Sequence, residues 1–335
     1  MAEPGAGWFA KLLNSRGFRQ LGCRTLILFI VAFVSACSPS EERKLRVEAN
    51  VWPGYAAGFV AEALDLWETD RIQMVRQSSA SEVARAFQNG IVEVAALTLD
   101  EALRLADQGE DIRIFFVADE SAGADVILGK PPLSRMRELK GKRVAVEMSA
   151  LGAFFLTRAL EVNNMPLDAI EIVPITVDQS VSAYHRSDVD AVVTFEPFRT
   201  EILAEGAVSL FDSSEIRGEI LDVLVVREKT IKSFAKGLKR LVKAWLEANR
   251  MIQQKNPEAL KIAANHLELR VDEVPSAFDE IVLPDAALNE KMLTGTGPET
   301  VGHAVQVLVP VMRANGLLRS NRDFSGLTSR IAFSE

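Results

Sequence analysis

From residue 45 onward, short and nearly continuous apolar runs alternate with longer stretches in which apolar residues recur every three or four positions. The first pattern predicts buried strands and the second amphipathic helices. Leu45-Arg46-Val47-Glu48-Ala49, Ile72-Gln73-Met74-Val75 and Val94-Ala95-Ala96-Leu97-Thr98 are predicted strands, with helices in the intervals. The pattern then repeats. Ala86-Phe87-Gln88-Asn89-Gly90-Ile91-Val92-Glu93-Val94 aligns with Ala183-Tyr184-His185-Arg186-Ser187-Asp188-Val189-Asp190-Ala191 at an offset of 97, and the alignment runs on to Thr98 and Phe195. Upstream, Arg143-Val144-Ala145-Val146 and Ile170-Glu171-Ile172-Val173 echo the first two strands at nearly the same spacing.

Each unit therefore reads as strand, loop and helix three times over. Apolar strands separated by helices predict parallel sheets covered on both faces. The expectation is an α/β protein with two similar lobes, about 45–120 and 125–210, each a parallel-rich sheet flanked by helices. Open sheets of this kind bind ligands beyond the carboxyl ends of their strands, so a cleft between the lobes is the predicted site. The remainder, about 226–330, is predicted to be mostly helical. Phe234, Leu238, Leu241, Val242, Trp245 and Leu246 form one apolar face, opposite Lys232, Lys236, Lys239, Arg240 and Lys243. That basic side reads either as a solvated face or as a docking or membrane-surface face. Asn256 before Pro257 predicts a helix start.

The amino-terminal pattern is different. Residues 26–36 are apolar over about 11 positions. A bilayer span needs roughly 20 residues, whereas the core of a signal peptide needs 7–15. Lys11, Arg16, Arg19 and Arg24 against Glu3 give the preceding segment a positive charge. Val34-Ser35-Ala36-Cys37 resembles a bacterial lipobox, which implies cleavage before Cys37 and attachment of lipid to it. Residues 1–36 are then a lipoprotein signal peptide and 37–44 a tether. Cys23 and Cys37 are the two cysteines of the chain. Removal of one and lipidation of the other leave no thiol for catalysis, redox chemistry or zinc.

The chain carries a net charge of −8, and residues 1–36 carry +3, which leaves −11 for the mature part. Nucleic-acid binding needs a basic footprint, so that class is excluded. The histidines His185, His266 and His303 have no paired ligand spacing. There is no His-Glu-x-x-His, no serine elbow and no phosphate-binding glycine loop, so no enzyme class and no cofactor is indicated.

The candidate chemistry lies in the loops after the strands. Trp52, Tyr55 and Phe195 offer an apolar or stacking wall, or ordinary packing. Ser79 and Ser149 stand at predicted helix starts, where backbone N–H groups hold an anion or serine simply caps. Thr98 ends the third strand. Asp119, Glu147, Asp178 and Glu196, with Asp125, fall at predicted strand ends. Some of these acids are structural. Several in one cleft suit a ligand with an amino or other cationic group better than a bare anion.

Asn50-Val51-Trp52-Pro53-Gly54-Tyr55, Leu139-Lys140-Gly141-Lys142-Arg143-Val144-Ala145-Val146 and Val192-Val193-Thr194-Phe195-Glu196-Pro197 resemble the periplasmic solute-binding proteins of ABC importers. The similarity is to the nitrate/sulfonate/taurine and thiamine-pyrimidine-precursor branch and covers about 44–330. It implies a two-lobed type II periplasmic-binding-protein fold: residues 45–120 plus 215–335 in lobe 1, residues 121–214 in lobe 2, with crossings near 116–124 and 210–214. It also implies hinge closure on a small-molecule ligand and delivery to an ABC permease and its ATPase. The expected protein is an exported, lipid-anchored monomer facing the periplasm or cell exterior. Two alternatives stay open at this stage: a lobe that reports to a membrane sensor, and an enzyme of pyrimidine-precursor metabolism. The cysteine-rich motif of the pyrimidine-synthase relatives is absent.

Overall fold

The computed structural model describes residues 44–68, 71–148 and 150–334. The signal peptide expected over 1–36, Cys37, most of the 37–44 tether, and Ser149 lie outside the described residues.

The chain begins with β1 (Leu45–Ala49), α1 (Ala56–Ala63), β2 (Ile72–Arg76), α2 (Ala80–Gln88), β3 (Val94–Thr98), α3 (Leu99–Asp107) and β4 (Ile112–Ser121). It then builds β5 (Val126–Gly129), β6 (Arg143–Glu147), α4 (Ala150–Val162), β7 (Glu171–Ile175), α5 (Ser180–His185), β8 (Ala191–Thr194), α6 (Phe198–Ala204) and β9 (Val208–Asp212). It returns as β10 (Leu221–Arg227), α7 (Glu228–Gln253), α8 (Pro257–Leu267), α9 (Val274–Asp279), β11 (Ile281–Val282), α10 (Ala286–Thr294) and α11 (Val301–Ala314). Two sheets result, in the orders β11-β4-β10-β3-β1-β2 and β7-β6-β8-β5-β9.

The repeat is carried into the register. Val47 pairs with Val94 in the first sheet and Val144 with Ala191 in the second, and both partners advance by 97. All five residues of β3 are buried, as a central strand covered on both faces requires. Each sheet also holds strands that the three-strand repeat did not predict, β4, β10 and β11 in the first and β5 and β9 in the second. β10 runs antiparallel between β3 and β4, and β5 antiparallel between β8 and β9. The halves thus exchange strands through residues 122–125 and 213–220. β5 occupies in the second sheet the place that β10 holds in the first. The first crossing starts after Ser121 because β4 extends to that residue.

Helices cover the sheets through apolar faces. Trp245 of α7 packs on Phe116 of β4 with ring centroids 6.1 Å apart. A Cβ on Gly58 of α1 would lie 2.6 Å from the Trp245 ring and 2.7 Å from Met74 Cε, so glycine permits the close approach of α1 to α7. Phe155 of α4 meets Phe211 of β9 at 5.6 Å. Asn289 of α10 accepts from Val117 N–H at 3.0 Å and donates to its carbonyl at 2.7 Å, and a bridge from Thr328 to Ile114 covers the outer side of β4 further from β11. Asn256 caps α8 as predicted, accepting from Glu258 N–H and Ala259 N–H. Residues 44–335 form one compact unit that contains all three apolar cores.

Candidate ligand-binding cleft

The carboxyl ends of β1, β3, β6 and β8 and the starts of β5 and β10 converge on one cleft of about 460 Å³, its open mouth included. The loop after β1 does most of the organising. Trp52 Nε1 donates to the Asp119 carboxylate, at 3.0 Å to Oδ2 and 3.2 Å to Oδ1. Three residues on, the Tyr55 hydroxyl donates to Asp222 Oδ1. Pro53–Tyr55 form a single tight turn between them. One short segment therefore holds acids from two different strands. Gly54 makes this possible: a Cβ there would lie 1.7 Å from Asp119 Oδ2. Gly54→Ala is accordingly expected to expel the Asp119 carboxylate, lower stability by about 1–3 kcal/mol and abolish ligand response. A thermal melt with and without ligand checks this, and an alanine variant with a native melt and native response would remove Asp119 from the account.

The exchanged strands supply the central pair of acids. Asp222 pairs in register with Thr98 of β3 on one side and Asp119 of β4 on the other. In the second sheet Val126 pairs with Thr194, so Asp125 falls beside Phe195, the residue 97 on from Thr98. Asp125 and Asp222 are themselves 97 apart and hold equivalent places in the two halves. Both are buried at the cleft. Asp125 Oδ2 has no hydrogen-bond partner. Glu101 reaches back to accept from Thr98 N–H at 3.1 Å at the start of α3 and also lines the cleft.

Burial sets the electrostatics. Removal from water penalises the charged form and raises Asp100 to about 6, Asp125 to about 7, and Glu101 and Asp119 to about 8. Asp222 is pushed well above the usual carboxylate range by burial and then by the charge of Asp119. Asp100 and Glu101 sit in the first turn of α3, where the helix dipole favours negative charge. Their raised values show that desolvation outweighs it here. Glu147, at the end of β6, is raised by burial and by Asp178. Among the described residues, the lining set includes no lysine or arginine.

Of the residues expected from sequence, Trp52, Tyr55, Ser79, Thr98, Asp125, Glu147 and Phe195 line this cleft. Trp52 and Phe195 come from different halves and meet edge to face, with centroids 5.7 Å apart and planes at 83°. Ser79 caps α2, accepting from Glu82 N–H at 3.4 Å. Asp119 is buried behind Trp52 rather than at the wall. Asp178 is exposed on the turn Val177–Gln179 and reaches the cleft only through its field on Glu147. Glu196 is buried but turned away. It accepts from Arg199 Nη1 at 3.1 Å and Thr200 Oγ1 at 3.0 Å, so it anchors α6. Asn50, Glu101 and Asp222 complete the polar lining. Glu101 and Asp222 carried a readable signal. Glu101 stands three residues after Thr98, in capping spacing, and Asp222 is a lone acid in the apolar run Leu221-Asp222-Val223-Leu224-Val225-Val226.

Comparisons with known proteins agree with this architecture. The chain is 27% identical over 173 residues to the taurine-binding periplasmic protein of Escherichia coli (strain K12), covering 51% of this chain and 52% of that protein. The chain thus spans about half the length of this curated relative. A putative binding protein of Brucella abortus (strain 2308) is 26% identical over 261 residues, which covers 73% of this chain and 75% of that protein. In fold, the chain is similar to the alkanesulfonate-binding protein SsuA from Xanthomonas axonopodis pv. citri, bound to MOPS. The TM-score is 0.71 at 16% identity, over 87% of this chain and 99% of that one. The two-sheet architecture is that of the periplasmic binding proteins. A family model matches residues 38–268, which take in β1 to β10 and all of the cleft, and the chain belongs to the NMT1-like family, with relatives of the nitrate/sulfonate/taurine type of ABC substrate-binding protein.

Proposed function

We propose that the protein is an exported solute-binding component of an ABC importer that captures a small amino-bearing molecule between its two lobes. The observation that carries the ligand class is the pair Asp125 and Asp222, buried at equivalent places in the two halves, with Asp125 Oδ2 unpartnered. A protonated amine supplies the missing donor and the compensating charge, and charge-assisted hydrogen bonds of this kind are the strong ones. Trp52 and Phe195 provide an apolar wall beside it. The taurine-binding relative takes an amino sulfonate. The amino half of such a zwitterion suits the acids, and an anionic half suits Asn50 and the backbone N–H groups that open α2. The reading is holding rather than catalysis, with Asp119 and Asp222 tied to Trp52 and Tyr55. Periplasmic relatives and the apolar segment ahead of Cys37 support export, with Cys37 as the lipid-bearing residue of a monomeric chain.

Capture proceeds by closure about the two crossings, after which the closed form is presented to the permease. A clasp links the halves beside the first crossing: Arg199 of α6 donates to Glu280 at 3.1 Å while also holding Glu196, and the Glu280 carbonyl accepts from Ala122 N–H. Glu280→Gln keeps the Arg199–Glu196 pair and weakens only the cross-lobe link. Partly exposed pairs contribute about 1 kcal/mol, so ligand affinity is expected to fall about fivefold with the free form more open in small-angle scattering. Unchanged affinity and scattering would assign the pair to the surface alone.

The ligand class is tested by a thermal-shift screen of residues 38–335 against amines, amino acids, aminopyrimidines, taurine, plain alkanesulfonates and nitrate. An amino-bearing compound at about 100 times its Kd is expected to raise Tm by about 5 °C or more. A response to plain sulfonates that no amino group improves would retire the acidic-cleft reading and keep the importer.

A further inference from the structure

The long helix α7 carries a row of cations that the ligand site does not use. Lys229, Lys232, Lys236, Arg240 and Lys243 are spaced by three or four residues and lie on one exposed face about 21 Å long. None of the five pairs with a carboxylate among the described residues. The acids of the same helix are already engaged, Glu228 with Arg113 and Glu247 with Arg250. The opposite face, with Leu238, Leu241, Val242 and Trp245, is buried in the core. Concentrated positive charge on a mature chain of net −11 is a directional feature rather than a sign of general basicity.

The place where the chain enters the fold gives the row its setting. Gly237, midway along α7, lies against Leu45: a Cβ on the glycine would be 3.3 Å from Leu45 Cδ2. Leu45 is the first residue of β1 and stands eight residues after Cys37. Eight residues reach at most about 28 Å. Lipid on Cys37 would therefore hold this helix within a short tether's length of a bilayer surface. We propose that the exposed face of α7 docks on anionic phospholipid headgroups of the membrane that holds the anchor. A surface of this charge attracts basic residues and repels the remainder of the chain, so contact through α7 also fixes which side of the protein faces away. The proposal is independent of the ligand class.

The test uses Lys44–Glu335, the compact unit with its own cores, so that no lipid anchor contributes. It is sedimented with vesicles of phosphatidylcholine alone and with vesicles containing 30% phosphatidylglycerol. Binding to the anionic vesicles is expected to exceed that to neutral ones at least tenfold and to disappear in 0.5 M salt. The Lys232→Glu/Lys236→Glu/Arg240→Glu variant is expected to fall to the neutral-vesicle level, with each cation contributing about fivefold, while its melt and ligand response stay native. Equal sedimentation with both vesicles overturns the lipid assignment and leaves the face to an acidic protein surface. Anionic-vesicle binding that survives the triple variant also overturns it, by placing the contact elsewhere.

Discussion

Replacing Asp125 and Asp222 together with asparagine is expected to lower affinity for an amino-bearing ligand by about a hundredfold or more. The two residues stand at the same place in the two halves of the molecule, each at the start of an antiparallel strand that crosses from the other half. Hydrogen bonds to charged groups contribute about 1.5–3 kcal/mol each, so losing two charged acceptors exceeds the roughly 2.8 kcal/mol that a hundredfold requires. The fold should withstand the change. Asparagine at 222 still offers a carbonyl oxygen to the Tyr55 hydroxyl, and two buried acids no longer have to be kept from ionising. Calorimetric titration reads the affinity and a thermal melt at pH 8 reads the fold. A folded double variant that binds as tightly as the native protein would show that the ligand contacts neither acid.

The second large effect is on pH. Burial raises Asp125 to about 7 and Glu101 and Asp119 to about 8, and lifts Asp222 well above the usual carboxylate range, whereas unfolded carboxylates titrate near pH 4. The folded chain therefore holds more protons than the unfolded chain between those limits, and the free energy of unfolding falls as pH rises. His266 opposes this at lower pH. Burial depresses it to about 3, so the unfolded state gains its proton first and stability rises with pH up to about 6.5. The two trends separate above that point, and the ligand-free melt is expected to fall steadily from pH 6.5 to 8.5. Binding should run the other way. A ligand amine that stays charged favours the ionised acids, so affinity rises with pH by up to about tenfold per unit for each proton displaced. Titrations in buffers of different ionisation enthalpy count those protons. Affinity that is flat from pH 6.5 to 8.5, with no proton release, would disconnect the raised acids from the ligand.

Local and periodic interactions leave their mark along the chain. Apolar runs at strand spacing and the repeat at 97 residues fix two parallel-rich sheets, because a segment buried on both faces must be apolar throughout. Trp52, Tyr55, Thr98, Glu147 and Phe195 were readable as site residues since loops after parallel strands necessarily gather at one end of the sheet. Glu196 had the same credentials and faces elsewhere. Arg199 and Thr200, one helical turn on, offered its carboxylate nearer partners, and side-chain competition of that kind is settled by packing.

The exchange of strands, by contrast, is a property of the folded chain alone. Asp125-Val126-Ile127-Leu128 and Asp222-Val223-Leu224-Val225 are themselves 97 apart, so the signal lay in the chain. Its meaning depends on β5 and β10 each inserting into the sheet built mainly by the other half. Strand partners are chosen by long-range packing and carry no local mark, because one extended apolar segment satisfies the edge of either sheet. Only once the crossings place β5 and β10 do two acids nearly a hundred residues apart become one buried, mutually repelling pair at a cleft.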